Sequence, residues 1–132
     1  SDLIGKKGVT NQGESYGTKF DAFMKDKLDV ARAAGINAAF NDLIAGKADY
    51  LIAGYYPGLA EAAKDGLKDK VVPLDQALLS QEMFVAFSKK SPCHSLIEKF
   101  GQGITELTTD GSFDHMMDDA TTAWDNAQKS SK

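Results

Sequence analysis

The chain has 132 residues, 42% hydrophobic and 26% charged, with a net charge of −4. That is enough apolar chain for one ordinary domain with a core, which excludes a disordered segment. Basic residues never run beyond a pair (Lys6-Lys7, Lys89-Lys90), which argues against nucleic acid as a partner. No stretch of about 18 apolar residues is available to span a membrane.

The first seventeen residues read as a strand over Gly5–Asn11, a turn at Gln12-Gly13-Glu14-Ser15-Tyr16-Gly17, and the start of a helix. A strand that passes through a glycine turn into a helix N-terminus leaves backbone N–H groups free to hold an anion. Tyr16, Phe20, Phe23, Met24 and Leu28 fall at helical spacing and predict a helix over Ser15–Lys27. Asp29–Ala33 reads as a short strand. Ile36, Ala39, Phe40, Leu43 and Ile44 follow the pattern of a one-sided helix, with Gly46 placed as its left-handed cap. Ala48–Gly54 is a short apolar run bounded by turn signals, as in a buried strand. Pro57 opens a small helix to about Lys64.

Val71–Leu74 reads as a brief strand, and Met83–Ser88 as a longer, aromatic-rich one. Ser91-Pro92 is a helix start, with Ser91 as cap and Pro92 at the first helical position. Leu96, Ile97, Phe100, Ile104 and Leu107 form the inner face of that helix. Asp110-Gly111 ends it, and Ser112 is placed to cap a last helix that buries Phe113, Met116, Met117, Ala120 and Trp124. The polar tail Gln128–Lys132 is expected to fray. Cys93, the single cysteine, can form no disulfide within the chain and is expected as a small apolar core residue. The alternation of strands and helices predicts a mostly parallel sheet with helices on both faces, followed by two helices outside the alternation.

In this order the segments resemble those of the family 3 extracellular solute-binding proteins, the periplasmic receptors of ABC importers. Leu3-Ile4-Gly5-Lys6-Lys7 followed by Gln12-Gly13 resembles the entry into the family's second lobe. Leu43-Ile44-Ala45-Gly46-Lys47-Ala48-Asp49-Tyr50 resembles its helix-to-strand passage. Phe84-Val85-Ala86-Phe87-Ser88-Lys89-Lys90-Ser91-Pro92 resembles its return strand, and Leu107-Thr108-Thr109-Asp110-Gly111 its late helix break.

The resemblance implies an α/β fold: a single three-layer lobe with a mostly parallel central sheet of about five strands. One of these, Met83–Ser88, is antiparallel, and two C-terminal helices follow. It divides the chain into a second lobe, residues 1–92, and helices, residues 93–132, that pack toward a first lobe absent from this sequence. The chain is then expected to be an excised fragment, in keeping with the absence of a signal peptide. The partners implied are a small-molecule solute, the first lobe and, through the full-length protein, the ABC permease in the membrane. The location implied is the periplasm, or a tethered position at the cell surface.

In the family the loop matching Gln12, Gly13, Glu14, Ser15 and Tyr16 gives backbone N–H groups and a hydroxyl to the carboxylate of the ligand. Ser15 is the hydroxyl donor here, unless it simply caps the helix. Glu14 departs from the pattern, since its carboxylate repels an anion if it points inward. Amino-acid-binding members also carry an Asp that pairs with the ligand's ammonium; counted from Asp49, that position is Gly54. Its absence counts against an ordinary α-amino acid, because a buried ammonium without a partner is costly. Tyr55 and Tyr56 can instead stack on a planar or cationic group, or pack as core. Asp49 itself is expected to cap or pair structurally.

No cofactor is implied. His94 and His115 lack zinc spacing, and Asp114, Asp118 and Asp119 lack the calcium-loop pattern and read as a solvated face. Gly101-Gln102-Gly103 lacks the third glycine of a nucleotide fingerprint. No nucleophile motif accompanies Ser, His and Asp, so no catalytic residue is assigned and the chain is expected not to be an enzyme. Two other readings remain open: an extracytoplasmic sensor domain, and the non-catalytic lobe of a lytic transglycosylase-like enzyme.

Overall fold

A computed structural model describes residues 2–130. Two compact units part between Gln81 and Glu82, ahead of the Pro92–Cys93 boundary drawn from the sequence.

The first unit is α/β. In chain order it holds β1 (Lys7–Asn11), α1 (Thr18–Lys27), β2 (Asp29–Ala33), α2 (Ile36–Ile44), β3 (Tyr50–Ile52) and α3 (Tyr55–Lys64). The sheet has three strands in the order β2-β1-β3, and β1 is parallel to both neighbours. In its registers Val9 pairs with Ala31 on one side and Leu51 on the other. β1 therefore sends one crossover to its left, through α1, and receives a strand on its right, through α2. Right-handed crossovers put those two helices on opposite faces of the sheet.

The faces follow the two-residue period of the strands. Val9, Ala33, Ala39 and Ala48 form one buried cluster, with Ala38 and Leu51 packed against it. Phe40, Ala62 and Leu67 form a second, joined by Ile36, Leu51 and Val71. Leu51 belongs to both, so the second cluster, built on α2 and α3, is anchored to the sheet. Burial of Val9, Phe40 and Leu67 contributes about 1.5–3 kcal/mol each, and of the smaller alanines less. The alternate face carries Gly8 and Thr10, both buried, with Tyr50 and Ile52 beside them. A Cβ on Gly8 would stand 2.5 Å from the Tyr50 ring, so glycine at this position is what lets the ring lie on the strand.

Several boundaries differ from the sequence reading. α1 starts at Thr18, not Ser15, because Gly17 (φ 89°, ψ 147°) turns the chain immediately before it. α3 starts at Tyr55, two residues before Pro57, since proline is tolerated in a first helical turn. β1 begins at Lys7 after a turn. The short strand at Asp29–Ala33, the helix at Ile36–Ile44 and the left-handed Gly46 (φ 70°) are as expected. Asp49 has a structural role: its Oδ2 accepts from the Lys7 N–H at 2.8 Å, and its own N–H donates to the Lys7 carbonyl at 2.7 Å.

The expected sheet of about five strands is corrected to three, with no antiparallel member among the described residues. Val71–Leu74 and Met83–Ser88 have no ladder partner; Met83 and Phe84 are 96% and 84% exposed. A strand forms only against a neighbour, and Pro73 interrupts the shorter run by removing a donor.

The second unit is helical, described by itself. A 3₁₀ turn over Pro92–Leu96 is capped by Ser91, whose Oγ accepts from the Cys93 N–H at 3.1 Å. It leads into α4 (Ile97–Thr109), and α5 (Ser112–Ser130) follows. Ser112 is itself helical rather than a cap: its N–H donates to Asp110 Oδ1 at 2.8 Å. That bond holds the exposed Asp110 carboxyl below its ordinary range. No described residue of this unit is buried. The predicted inner faces of α4 and α5 and the predicted core position of Cys93 are corrected accordingly: Leu96, Ile97, Phe100, Ile104, Phe113, Met116, Trp124 and Cys93 are exposed, and only Leu107 and Met117 are half-buried among the large side chains named for those faces. Two helices alone cannot enclose side chains on all sides. α5 also continues through Gln128–Ser130, where fraying was expected; the remainder of that tail, 131–132, lies outside the described residues.

Candidate functional site

The C-terminal ends of β1 and β3 lie side by side, and the two segments singled out from sequence follow directly from them. Connections leave this pair of strands to opposite sides, which makes it a topological switch point, the usual place for a ligand crevice in an open α/β sheet. Gln12–Tyr16 follows β1, and Gly54–Tyr56 follows β3.

Tyr16 ties the two together. Its hydroxyl lies 2.9 Å from the carbonyl oxygen of Ile52 and 2.7 Å from Glu14 Oε2, and it also bonds to Thr10 Oγ1. Thr10, fully buried, donates to the same Ile52 carbonyl at 3.0 Å. Burial, first, pushes the Tyr16 phenol up to about 12; the Thr10 bond opposes that rise and the Glu14 carboxylate adds to it. The phenol is therefore a proton donor throughout the physiological range.

Glu14 is placed by three contacts besides Tyr16. Its N–H reaches the Asn11 carbonyl at 3.5 Å, its carbonyl accepts from Arg32 Nη1 at 2.9 Å, and its Oε1 receives a long 3.4 Å contact from Asn11 Nδ2. Gln12 donates its N–H to the Ala33 carbonyl at 2.8 Å, while its side chain and Gly13 (φ 86°) are exposed.

The expected anion donors are in use. Ser15 Oγ donates to Asp21 Oδ2, and the Tyr16 N–H donates to Asp21 Oδ1 at 2.9 Å. Those two bonds, the hydroxyl's first, hold the Asp21 carboxyl below its usual value. Ser15 is thus not the helix cap; Gly17 occupies that position without a side-chain bond. Asp21, one turn into α1, takes up the donors that the sequence reading assigned to a ligand carboxylate.

Past β3, Gly54 is the N-cap of α3, and a Cβ there would meet Pro57 at 3.3 Å. Tyr55 and Tyr56 form the first turn of α3, edge to face with centroids 5.2 Å apart. Both rings are exposed, Tyr55 by 59%.

Three participants escaped the sequence reading: Thr10, Asp21 and Arg32. Thr10 carried a signal, a polar residue in a strand beside Val9 whose two-residue period turns it to the second face. Asp21 and Arg32 carried none, since their roles depend on how the turn folds back. Among the described residues, no three His, Cys, Asp or Glu side chains gather to hold a metal ion, and no helix is long and apolar enough to cross a membrane. No family model, curated protein or solved structure matches the chain.

Proposed function

We propose that this chain is the ligand-binding second lobe of a solute receptor serving an ABC importer, and that it captures a small polar solute at the C-terminal edge of its sheet. The observation that carries this reading is the Tyr16–Ile52 link, which sets the turn Gln12–Tyr16 beside Gly54-Tyr55-Tyr56 at a topological switch point. The ordered series of family-like segments in the sequence supports it as well. On this reading a partner lobe supplies the other half of the pocket, hinge closure traps the solute, and the protein works in the periplasm or at the cell surface without catalysing a reaction.

The test is an NMR titration of the 132-residue chain with a panel of amino acids, amines and organic acids. Binding weaker than micromolar, with amide shifts confined to Gln12–Tyr16 and Gly54–Tyr56, is expected. Shifts elsewhere, or none with any member of the panel, count against the reading. Micromolar or tighter affinity would remove the need for a second lobe.

A further inference from the structure

An anion entering the turn after β1 needs free donors, and the two best placed are consumed. Ser15 Oγ and the Tyr16 N–H both serve Asp21, whose carboxylate already supplies the negative charge that the start of α1 favours. A second carboxylate arriving there meets Asp21 and Glu14 together. Arg32, whose charge reaches both Asp21 and Tyr16, commits Nη1 to the Glu14 carbonyl and forms no ion pair with the Glu14 carboxylate among the described residues.

Acceptors, in contrast, are presented. Glu14 Oε2 lies within reach of the single proton of the Tyr16 hydroxyl, whose oxygen is also within hydrogen-bond distance of buried Thr10 and of the end of β3. Oε1 has only the 3.4 Å contact with Asn11 Nδ2, at the outer limit of a hydrogen bond. The carboxylate is thus held through Oε2, while Oε1 has no closer donor than this among the described residues. The Tyr55 and Tyr56 rings, exposed at the neighbouring strand end, add aromatic faces of the kind that attract cations.

We propose that the site selects a cationic group, an organic ammonium or guanidinium, with Glu14 as its counter-ion and Asp21 as the resident group that keeps anions out. This rests on the reading of the chain as a solute-binding lobe and names the class of solute. Tyr16 is a positioning residue here, since it acts through Glu14.

The experiment compares two probes of equal length and opposite charge, n-butylammonium and n-butyrate, titrated into the labelled 132-residue chain at matched ionic strength. The ammonium is expected to shift the amides of Gln12–Tyr16 and Tyr55–Tyr56, and butyrate to leave them unmoved. Glu14→Gln keeps an acceptor for Tyr16 and is expected to weaken ammonium binding about tenfold. Asp21→Ala frees the two donors and is expected to let butyrate shift Ser15 and Tyr16. Butyrate binding to the unsubstituted chain in place of the ammonium overturns the charge selection while leaving solute binding intact. Shifts from neither probe overturn both. Unchanged ammonium affinity in a folded Glu14→Gln chain removes Glu14 from the role, and the comparison of probes on the unsubstituted chain stands without any variant.

Discussion

The Tyr16 hydroxyl lies 2.9 Å from the carbonyl oxygen of Ile52, so a side chain from the turn after β1 closes onto the last residue of β3. Thr10 donates to that same carbonyl. Tyr16→Phe and Thr10→Val are each expected to cost about 1–1.5 kcal/mol in urea unfolding. The double substitution is expected to cost less than the sum, because the two hydroxyls share one acceptor and one another. Strict additivity would show that the network is not coupled.

The alkaline limb of stability has a defined sign. The folded state holds the Tyr16 phenol protonated up to about 12, above the ordinary value of 10.0. Its contribution is complete below pH 10 and is lost as pH rises from 10 toward 12. Tyr50 is shifted in the same direction, first by its burial. The informative quantity is therefore the difference between the unsubstituted chain and Tyr16→Phe, which is expected to shrink across that window in urea melts.

On the acid side Asp21 behaves oppositely. Its folded value is depressed by Ser15 and the Tyr16 N–H, so its contribution is present above the ordinary carboxylate range and lost as pH falls through the folded value. Hydrogen exchange at the Tyr16 amide is the direct readout. Protection relative to Asp21→Asn is expected to disappear as the medium is acidified.

Tyr50 provides the counter-example to Tyr16. Its hydroxyl is buried and has no hydrogen-bond partner among the described residues. Tyr50→Phe is expected to be neutral or stabilising by up to about 1 kcal/mol, opposite in sign to Tyr16→Phe. Gly8→Ala, which drives a methyl to 2.5 Å from the same ring, is expected to cost about 1–3 kcal/mol. In a Tyr50→Ala background that cost should largely vanish. Chemical denaturation of the four variants measures all of this.

Phe84 and Val85 are 84% and 65% exposed in a segment with no ladder partner. Phe84→Ser combined with Val85→Thr is expected to change unfolding free energy by less than about 0.5 kcal/mol. It should also reduce binding of a hydrophobic dye. A larger loss of stability would mean that these side chains are packed in solution.

The regular part of the fold was legible because periodicity carries it. Ile36–Ile44 and the apolar run around Tyr50–Ile52 reveal their burial in spacing alone. Met83–Ser88 misled for a physical reason: its composition suits a strand, but pairing depends on a neighbour that composition cannot supply. The inner faces of α4 and α5 show the same limit, since amphipathic spacing marks a face without saying what covers it. At the site, the turn and the two tyrosines stood out from their place after strands. The destination of Ser15 did not, because Asp21 is six residues away and reaches it only once Gly17 has bent the chain.

The central position of β1 constrains the order in which the molecule can assemble. Of the three strands of this sheet the earliest in the chain is the middle one, and it pairs with β2 and β3 only after each has followed. A nascent chain ending before Ile52 leaves one flank of β1 unpaired, and Thr10 and Tyr16 without their shared carbonyl. Non-local parallel pairing of this kind is slow to form and exposes sticky edges meanwhile. Completion of the sheet and completion of the site are thus one event in the life of the chain, set by the synthesis of a single short strand.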